Sequence, residues 1–413
     1  MIPVCEARDI ILDAVPLLGS QRMHALSALG RVLAEDVVAR HNVPPHNNSA
    51  MDGYAVRAED VRAAAPDHPV ELSVIEDLPA GYVSQRAVQP GQAVRIMTGA
   101  PVPDGADSIV RVEDTQAQAE NTVQIFAAVP PQYDMRLAGE DIQCGQTVLR
   151  RGTVLRAAEV GLLASIGRSS VNVYQRAQVA ILSTGDELAD PDDPLLPGKI
   201  YNSNSYSLAA LVLETGAIPI QLGIARDTRE ELEAAFAAGV RADAIISSGG
   251  VSVGDYDLVK EILNRQGSQM QFWKVCMKPG KPQAFGTIQG TPAFGLPGNP
   301  VSSMVSYEIF VRPALLKMMG HRRIYRRVVT ATLQEDLRKR DTRKHFVRVV
   351  LTEHEGRYRA SSTGAQGSGI LRSMSTANGL AVIDEERMEV QAGESVPVML
   401  LDQSFGLSAT RDF

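Results

Sequence analysis

Between residues 183 and 302 the chain passes five times from an apolar, strand-like run into a short polar loop rich in Gly and Pro, and few folds accommodate that repetition. Residues 179–182 run into Ser183-Thr184-Gly185-Asp186-Glu187, residues 218–224 into Ala225-Arg226-Asp227, and residues 244–246 into Ser247-Ser248-Gly249-Gly250-Val251-Ser252. Residues 272–277 lead to Lys278-Pro279-Gly280-Lys281, and residues 293–296 to Pro297-Gly298-Asn299-Pro300. Helix-like stretches at 206–214, 230–238, 258–265 and 301–319 separate most of these strands. Strands alternating with helices predict an α/β domain with a doubly wound, mostly parallel sheet. In such sheets the loops leaving the carboxyl ends of the strands converge on one crevice, where ligands bind. Small residues, hydroxyls, two lysines and several carboxylates suit an anion and a metal ion, not an apolar ligand.

A chain of 413 residues has room for two to four domains, and 44% hydrophobic with 22% charged residues is ordinary globular composition. A net charge of −7 argues against nucleic-acid binding, which needs a basic footprint. Cys5, Cys144 and Cys276 are dispersed and form no CxxC pair, so a disulfide framework or structural zinc is not expected and a reducing cytoplasm is. The N-terminal residues lack a basic segment followed by an apolar block, and no apolar run approaches the ~18 residues that span a bilayer. The expectation is a soluble, cytoplasmic protein with no membrane or nucleic-acid partner.

The pattern changes along the chain. Residues 4–18 and 160–166 have helical spacing, whereas 54–56, 72–75, 94–97, 108–112 and 123–127 are short apolar runs broken by turns. Residues 43–139 therefore read as a β-rich domain inserted into a discontinuous one made of 1–42 and 140–175. The α/β domain covers 176–325. Alternation returns at 328–333, 346–351, 380–383 and 396–400, predicting a β-rich C-terminal domain over 326–413. The basic stretch His321-Arg322-Arg323-Ile324-Tyr325-Arg326-Arg327 reads as a solvated linker.

Gly249-Gly250 lets backbone amides approach a phosphate, with Ser248, Val251 and Ser252 beside it and a helix start adding its dipole. Neither GxGxxG nor GxxxxGK[ST] occurs, so this is not a common dinucleotide or NTPase motif. A tight strand-to-helix turn alone would explain the glycines, and Asp255 reads as a helix cap. Asp257 and the Asp186-Glu187 pair have no such explanation, and Mg²⁺ takes one or two carboxylates plus phosphate and water. Lys278 and Lys281 flank a stiff Pro-Gly turn, which would hold two ammonium groups for an oxyanion. Pro297-Gly298-Asn299-Pro300 opens a helix whose amides, with Ser302 and Ser303, offer a second anion seat or plain capping. Asp52, Thr98 and Asp141 sit in turn-rich loops outside this module.

The ordered segments NSAMDGYA, RIMTGAPVP, GEDI, STGDEL, SSGGVSVGDYD, KPGKP and GLPGNPVS, spread over nearly the whole chain, resemble those of the molybdopterin molybdenumtransferases, the MoeA and gephyrin E-domain family. The resemblance implies an enzyme of molybdenum-cofactor synthesis that takes adenylylated molybdopterin and molybdate, places the metal in the dithiolene and releases AMP with Mg²⁺. It implies a homodimer with a composite active site, and functional links to a molybdopterin adenylyltransferase and to molybdoenzyme-maturation proteins. Thr184, Gly185, Ser248, Gly249, Gly250, Val251, Ser252, Pro297, Gly298, Asn299 and Pro300 would hold the nucleotidyl-pterin, with Asp186 and Asp257 at Mg²⁺. Lys278, Lys281 and Ser302 would seat molybdate. Arg348, with Arg343 as the alternative, and Ser368 would supply the C-terminal contributors. Asp52, Thr98, Asp141, Glu187, Asp227 and Asp257 would serve the reaction. Asn47 departs from the family pattern as a neutral loop change, and Gly369, where a second Ser is common, makes Ser368 a weaker match. Two other functions compete: a nucleotidyltransferase like the adenylylating enzyme of the same pathway, and a non-enzymatic scaffold of the gephyrin type.

Overall fold

The computed structural model describes residues 1–118, 121–226, 228–249 and 269–402. The chain divides into two compact units, Arg22–Asn172 and Met1–Gln21 with Val173–Phe413.

In the Arg22–Asn172 unit the short apolar runs become one six-stranded sheet. Its strands are β1 (Gly53–Val56), β2 (Val70–Leu78), β3 (Gln92–Ile96), β4 (Ser108–Arg111), β5 (Thr115–Gln118) and β6 (Thr122–Ile125), in the order β4-β1-β3-β2-β6-β5. Both faces are covered, because successive side chains point to opposite sides. Tyr54 and Val56 join one apolar cluster with Val110 and Val123, while Ala55 between them joins another with Val94 and Ile109. Strand β5, with its sequence TQAQ, carries no apolar signal and is held only as the outer arm of a hairpin with β6.

The second unit contains the α/β sheet. Its strands β7 (Gln178–Thr184), β8 (Ile218–Ala225) and β9 (Ala244–Ser248) are parallel. After β10 (Gln269–Lys274) and the two-residue β11 (Met277–Lys278) come β12 (Pro282–Ile288) and β13 (Thr291–Leu296). The order is β8-β7-β9-β13-β12-β10. Strand β13 continues the parallel set, whereas β12 is antiparallel to both β13 and β10. No apolar run in the sequence marks β12, PQAFGTI. It exists because Gln289 and Gly290, both with positive φ, form the tight turn that folds β12 onto β13.

Burial alternates along β7 as a doubly wound sheet requires. Val179 and Ile181 pack on Leu208 and Val212 of α1 (Ser203–Glu214), and Ala180 and Leu182 pack on Leu232 and Phe236 of α2 (Arg229–Gly239). Both helices are capped by the side chain before them: Asn202 accepts from the Ser205 amide at 3.1 Å, and Thr228 from that of Glu231 at 3.4 Å. The expected helix 301–319 is observed as α3 (Pro300–Ser306) and α4 (Arg312–Met318), joined by a π-helical turn at Tyr307–Val311. Pro313 lacks the N–H an α-helix needs there, which accounts for the change of pitch. The predicted helix 258–265 lies outside the described residues.

The C-terminal strands close on themselves. β14 (Val328–Leu333), β15 (Lys344–His354), β16 (Arg357–Ser362), β17 (Gly379–Ile383) and β18 (Ser395–Leu400) form a five-membered ring β15-β16-β14-β18-β17-β15, and β11 adds to the outside of β15. Alternate residues Val329, Ala331, Leu333, Val347, Val349, Leu351, Val396 and Val398 fill its centre. Strand β16 (RYRASS) is too polar to be seen by periodicity.

The basic stretch before the barrel is no solvated linker at Arg326. Its guanidinium makes two 2.9 Å bonds to Glu308, and the two side chains are only 8% and 3% exposed. Arg8 stacks on Tyr325 at 4.8 Å. Among the described residues no helix is long and apolar enough to cross a membrane.

Removing one member of a buried ion pair strands the other, which costs about 3–5 kcal/mol. Glu308→Ala is therefore expected to lower the stability of this unit by about that much in denaturant unfolding. Arg95→Ala, whose partner Asp77 is exposed, should change the midpoint by less than ~0.5 kcal/mol equivalent.

Candidate active site

Three of the five loops meet at the carboxyl ends of β7, β9 and β13. One pocket is lined by Thr184, Glu187, Asn204, Ser248, Gly249 and Gly298, among others. The chain can close this tightly only with glycine at its centre. Gly249 has φ +96°, and a Cβ there would lie 2.7 Å from the Thr184 carbonyl oxygen. Asn204 ties two of the loops together, donating through Nδ2 to Ser248 Oγ at 2.8 Å and to the Gly298 carbonyl at 2.7 Å. Ser183 donates to Asn202 Oδ1 at 3.0 Å, fixing the third.

Among the described residues, two polar atoms of this pocket are buried and without a partner: Thr184 Oγ1, on a residue 4% exposed, and Asn204 Oδ1. A buried polar oxygen left unpaired costs free energy unless a ligand supplies the bond. With the Glu187 carboxylate they are the oxygen donors that Mg²⁺ and a hydrated phosphate take. No group of three or more His, Cys, Asp and Glu among the described residues forms a ready-made metal cage. The Asp186 carbonyl accepts a bond from Lys199 Nζ. Gly185, with φ +144°, turns the chain between Thr184 and Asp186. Asp227, Gly250, Val251, Ser252 and Asp257 lie outside the described residues. Asn202 and Asn204 were missed in the sequence. The dense run Tyr201-Asn202-Ser203-Asn204-Ser205 at a helix start was the signal available.

The remaining loops go elsewhere. Strand β8 is a sheet edge, and Arg226 after it is bound through its amide to Glu231 at 2.8 Å. The Lys278–Lys281 turn follows β10 at the opposite edge, two strands beyond β13, because the β12–β13 hairpin intervenes. It does not line the Thr184 pocket. Nor is the start of α3 an open seat of amides, since Val301 N–H donates to the Ser368 carbonyl at 3.0 Å. Pro297 and Asn299 shape that loop, Asn299 making no side-chain cap, and Ser302 is buried.

Lys278 lines a second cavity of about 140 Å³, with Lys339, His345, Arg348 and Gln366. Both it and the Thr184 pocket, about 80 Å³, are below the roughly 300–1,000 Å³ of sites for drug-sized ligands. Arg348 is 1% exposed. Its guanidinium donates to Ser373 Oγ at 2.9 Å and to the carbonyls of Gly367 and Ala365 at 3.0 and 3.3 Å. No carboxylate among the described residues balances it, and burial pushes its pKa down. Gln366 brackets the Arg348 backbone, accepting from its amide at 3.0 Å and donating to its carbonyl at 3.1 Å. Arg343 instead holds Asp341, at 3.0 and 2.8 Å. Asp341 also meets His345 Nε2 at 3.0 Å and Lys278 Nζ at 3.6 Å. The Arg343 guanidinium, then the His345 bond, holds the Asp341 carboxyl well below the usual carboxylate range. Lys339 Nζ donates to the carbonyls of Arg343, Asp384 and Glu385, and burial pushes its pKa down. Lys281 is exposed and does not line the cavity, and Ser368 meets the α/β domain through its carbonyl. Lys339, Asp341 and His345 were missed in the sequence because nothing local marks them as neighbours of Lys278.

In the Arg22–Asn172 unit, Asp52 Oδ1 accepts from both the amide and the hydroxyl of Thr98, each at 2.7 Å. The amide, then the hydroxyl, lowers the Asp52 pKa. Asp141 is exposed and bonded to neither. Asn47 accepts from the Ala138 amide at 2.8 Å, so the departure at this position still braces the loop.

Family models match three stretches: the MoeA N-terminal region, domains I and II, at residues 2–167; a probable molybdopterin binding domain at 180–317; and the MoeA C-terminal region, domain IV, at 330–401. Molybdopterin molybdenumtransferase 2 of Mycobacterium tuberculosis is 44% identical over 377 residues, 90% of this chain and 92% of that protein. The molybdopterin molybdenumtransferase of Nostoc sp. is 40% identical over 411 residues, 97% of this chain and 94% of its own. Among solved structures, the molybdopterin biosynthesis MoeA protein of Pyrococcus horikoshii superposes with a TM-score of 0.87 at 31% identity, covering 97% of this chain and 99% of the other.

The glycine at the pocket's centre has a measurable role. Ala at a left-handed position costs about 1–3 kcal/mol where the surroundings enforce the conformation. Gly249→Ala adds a clash with Thr184, whereas a Cβ at Gly290, φ +86°, meets nothing within 4 Å. Gly249→Ala should therefore lower the melting temperature clearly more than Gly290→Ala. Equal shifts would contradict this packing.

Proposed function

Because the chain belongs to the molybdopterin molybdenumtransferase family, we propose that it inserts molybdate into adenylylated molybdopterin, with Mg²⁺, and releases AMP. The observation that carries this reading is Arg348, whose buried guanidinium has no carboxylate beside it among the described residues and which borders the small cavity that Lys278 lines. A buried cation needs a counter-charge, and a tetrahedral dianion such as molybdate supplies one. Two fixed cations stabilise it most where water is partly excluded. The pocket at Thr184, Asn204 and Gly249 has the small residues and unpaired oxygens suited to the phosphate side of the nucleotidyl-pterin. Asp186 and Glu187 would hold Mg²⁺ there together with the ligand's phosphates, and Mg²⁺ would neutralise charge at the phosphoanhydride. Asp257 is the further candidate outside the described residues.

The nucleotidyltransferase reading leaves the cationic cavity, with its C-terminal barrel residues, without a use. The scaffold reading leaves Arg348 and the unpaired pocket oxygens unexplained. The homodimer with a composite site, in which Asp52 and Thr98 act at the partner's crevice, is part of the same proposal. Its support is the exposed, preorganised Asp52–Thr98 pair, which has no core role. Supply by a molybdopterin adenylyltransferase, delivery to molybdoenzyme-maturation proteins and a cytoplasmic setting follow from the substrate and the free cysteines.

The reconstituted reaction tests this directly. With adenylylated molybdopterin and Mg²⁺, AMP should appear on addition of molybdate. AMP release indifferent to molybdate would refute the assignment. In the same assay Asp52→Ala and Arg348→Met should each be inactive. After subunit exchange, about a quarter of wild-type activity should return, because half the dimers are mixed and each holds one intact site. No recovery despite verified exchange would place each site within one chain.

A further inference from the structure

We infer that His345, oriented by Asp341, is the acid–base group that carries protons from the substrate dithiol to the oxygen leaving molybdate. This rests on the reaction proposed above and assigns it a proton carrier. His345 stands opposite Lys278 in the parallel pairing of β11 and β15 and lines the cavity with Lys278 and Arg348. Its Nε2 is 3.0 Å from Asp341 Oδ1. An ionised carboxylate only accepts, so the neutral ring carries its hydrogen on Nε2 and leaves the lone pair on Nδ1. Asp341 is itself fixed by two bonds from Arg343. Nδ1 has no hydrogen-bond partner among the described residues, and it is not among the buried side-chain atoms left without one. It is therefore open to a ligand. A base aimed by a carboxylate that is aimed in turn is the arrangement general acid–base chemistry uses.

The reaction needs such a group. A dithiol and molybdate yield the dithiolene-bound trioxo species and water: two metal–sulfur bonds form, one metal–oxygen bond breaks, and both thiol protons leave on the departing oxygen. Charge balances and the metal keeps its oxidation state. Lys278 and Arg348 cannot carry these protons, because as cations they have no lone pair to accept one. His345 Nδ1 takes a thiol proton, gives it to the departing oxygen, and repeats the transfer.

The charged groups around the ring fit an alternating role. Lys344 lies on its own strand, Lys278 on β11, Lys339, Asp341 and Arg343 on the preceding segment, and Asp384 and Glu385 just after Ile383, the residue of β17 paired with His345. Burial is the main influence holding His345 below its ordinary pKa, with the Asp341 bond opposing it and Lys278 and Lys339 adding to it. These influences favour the neutral ring, with Nδ1 free as a base. An arriving dianion offsets the lysines and lets the ring hold a proton.

The test compares wild type with His345→Gln, an amide that can still bond to Asp341 but cannot relay protons at neutral pH. Turnover is followed by AMP release, and molybdate binding by calorimetry. The expected result is a loss in kcat of roughly 10²–10⁴-fold, typical of general acid–base groups, with molybdate affinity within about threefold. The limb of the wild-type pH–kcat profile that reports the histidine should vanish. Asp341→Asn, which removes the orienting acceptor, should retain part of kcat and shift that limb, and it serves as the second variant if His345→Gln does not fold. Wild-type turnover and an unchanged pH profile in these variants would overturn the inference, as would a defect confined to molybdate affinity. Failure of wild type itself to release AMP with molybdate would instead overturn the underlying reading.

Discussion

A buried guanidinium with no carboxylate beside it among the described residues is the constraint on which the second unit is organised. Arg348 pays the desolvation of a cation, and it is kept in place by neutral oxygens: Ser373 Oγ and the carbonyls of Ala365 and Gly367. Those carbonyls belong to the segment whose Gln366 brackets the Arg348 backbone. The next residue, Ser368, accepts the Val301 amide at the start of α3. A single buried cation thus orders a loop, and that loop caps a helix of the neighbouring α/β domain. Arg348 also borders the small cavity that Lys278 lines.

The α/β sheet supplies the other half of the chemistry through strand order. Parallel β7, β9 and β13 are adjacent, so their loops meet, and Gly249 allows the approach that any Cβ would block. Strands β12 and β10 carry the Lys278 turn away from those loops and hand it to β15. Two pockets of different character result: one of hydroxyls, amides and small residues, the other of cations around Asp341 and His345. A phosphate-bearing organic ligand and a compact oxyanion need such different surroundings.

Much of this was legible in the sequence, for reasons that can be named. The four parallel strands announced themselves as apolar runs ending in short polar loops, and the barrel strands β14, β15, β17 and β18 by alternation. Strands β5, β12 and β16 were invisible because their residues are polar or mixed and their pairing is enforced by partners. The Thr184 and Gly249 loops were found because small residues at strand ends are a local signal. Asn204 was not, since its partner Ser248 is 44 positions away, and neither were Asp341 and His345, which only the β11–β15 pairing brings to Lys278. Arg326 was misread for the same reason: only the fold brings Glu308 to it.

Arg348 is read here as a seat for an oxyanion in addition to the anchor of its loop. Replacing a buried, unbalanced charge by an apolar side chain of similar length removes a desolvation cost, so Arg348→Met should fold with a stability within a few kcal/mol of wild type. Titration of molybdate into both proteins by calorimetry, with melting temperatures recorded alongside, is the most direct measurement. The account predicts saturable binding to wild type and none to the folded variant. Equal binding by both proteins would contradict it.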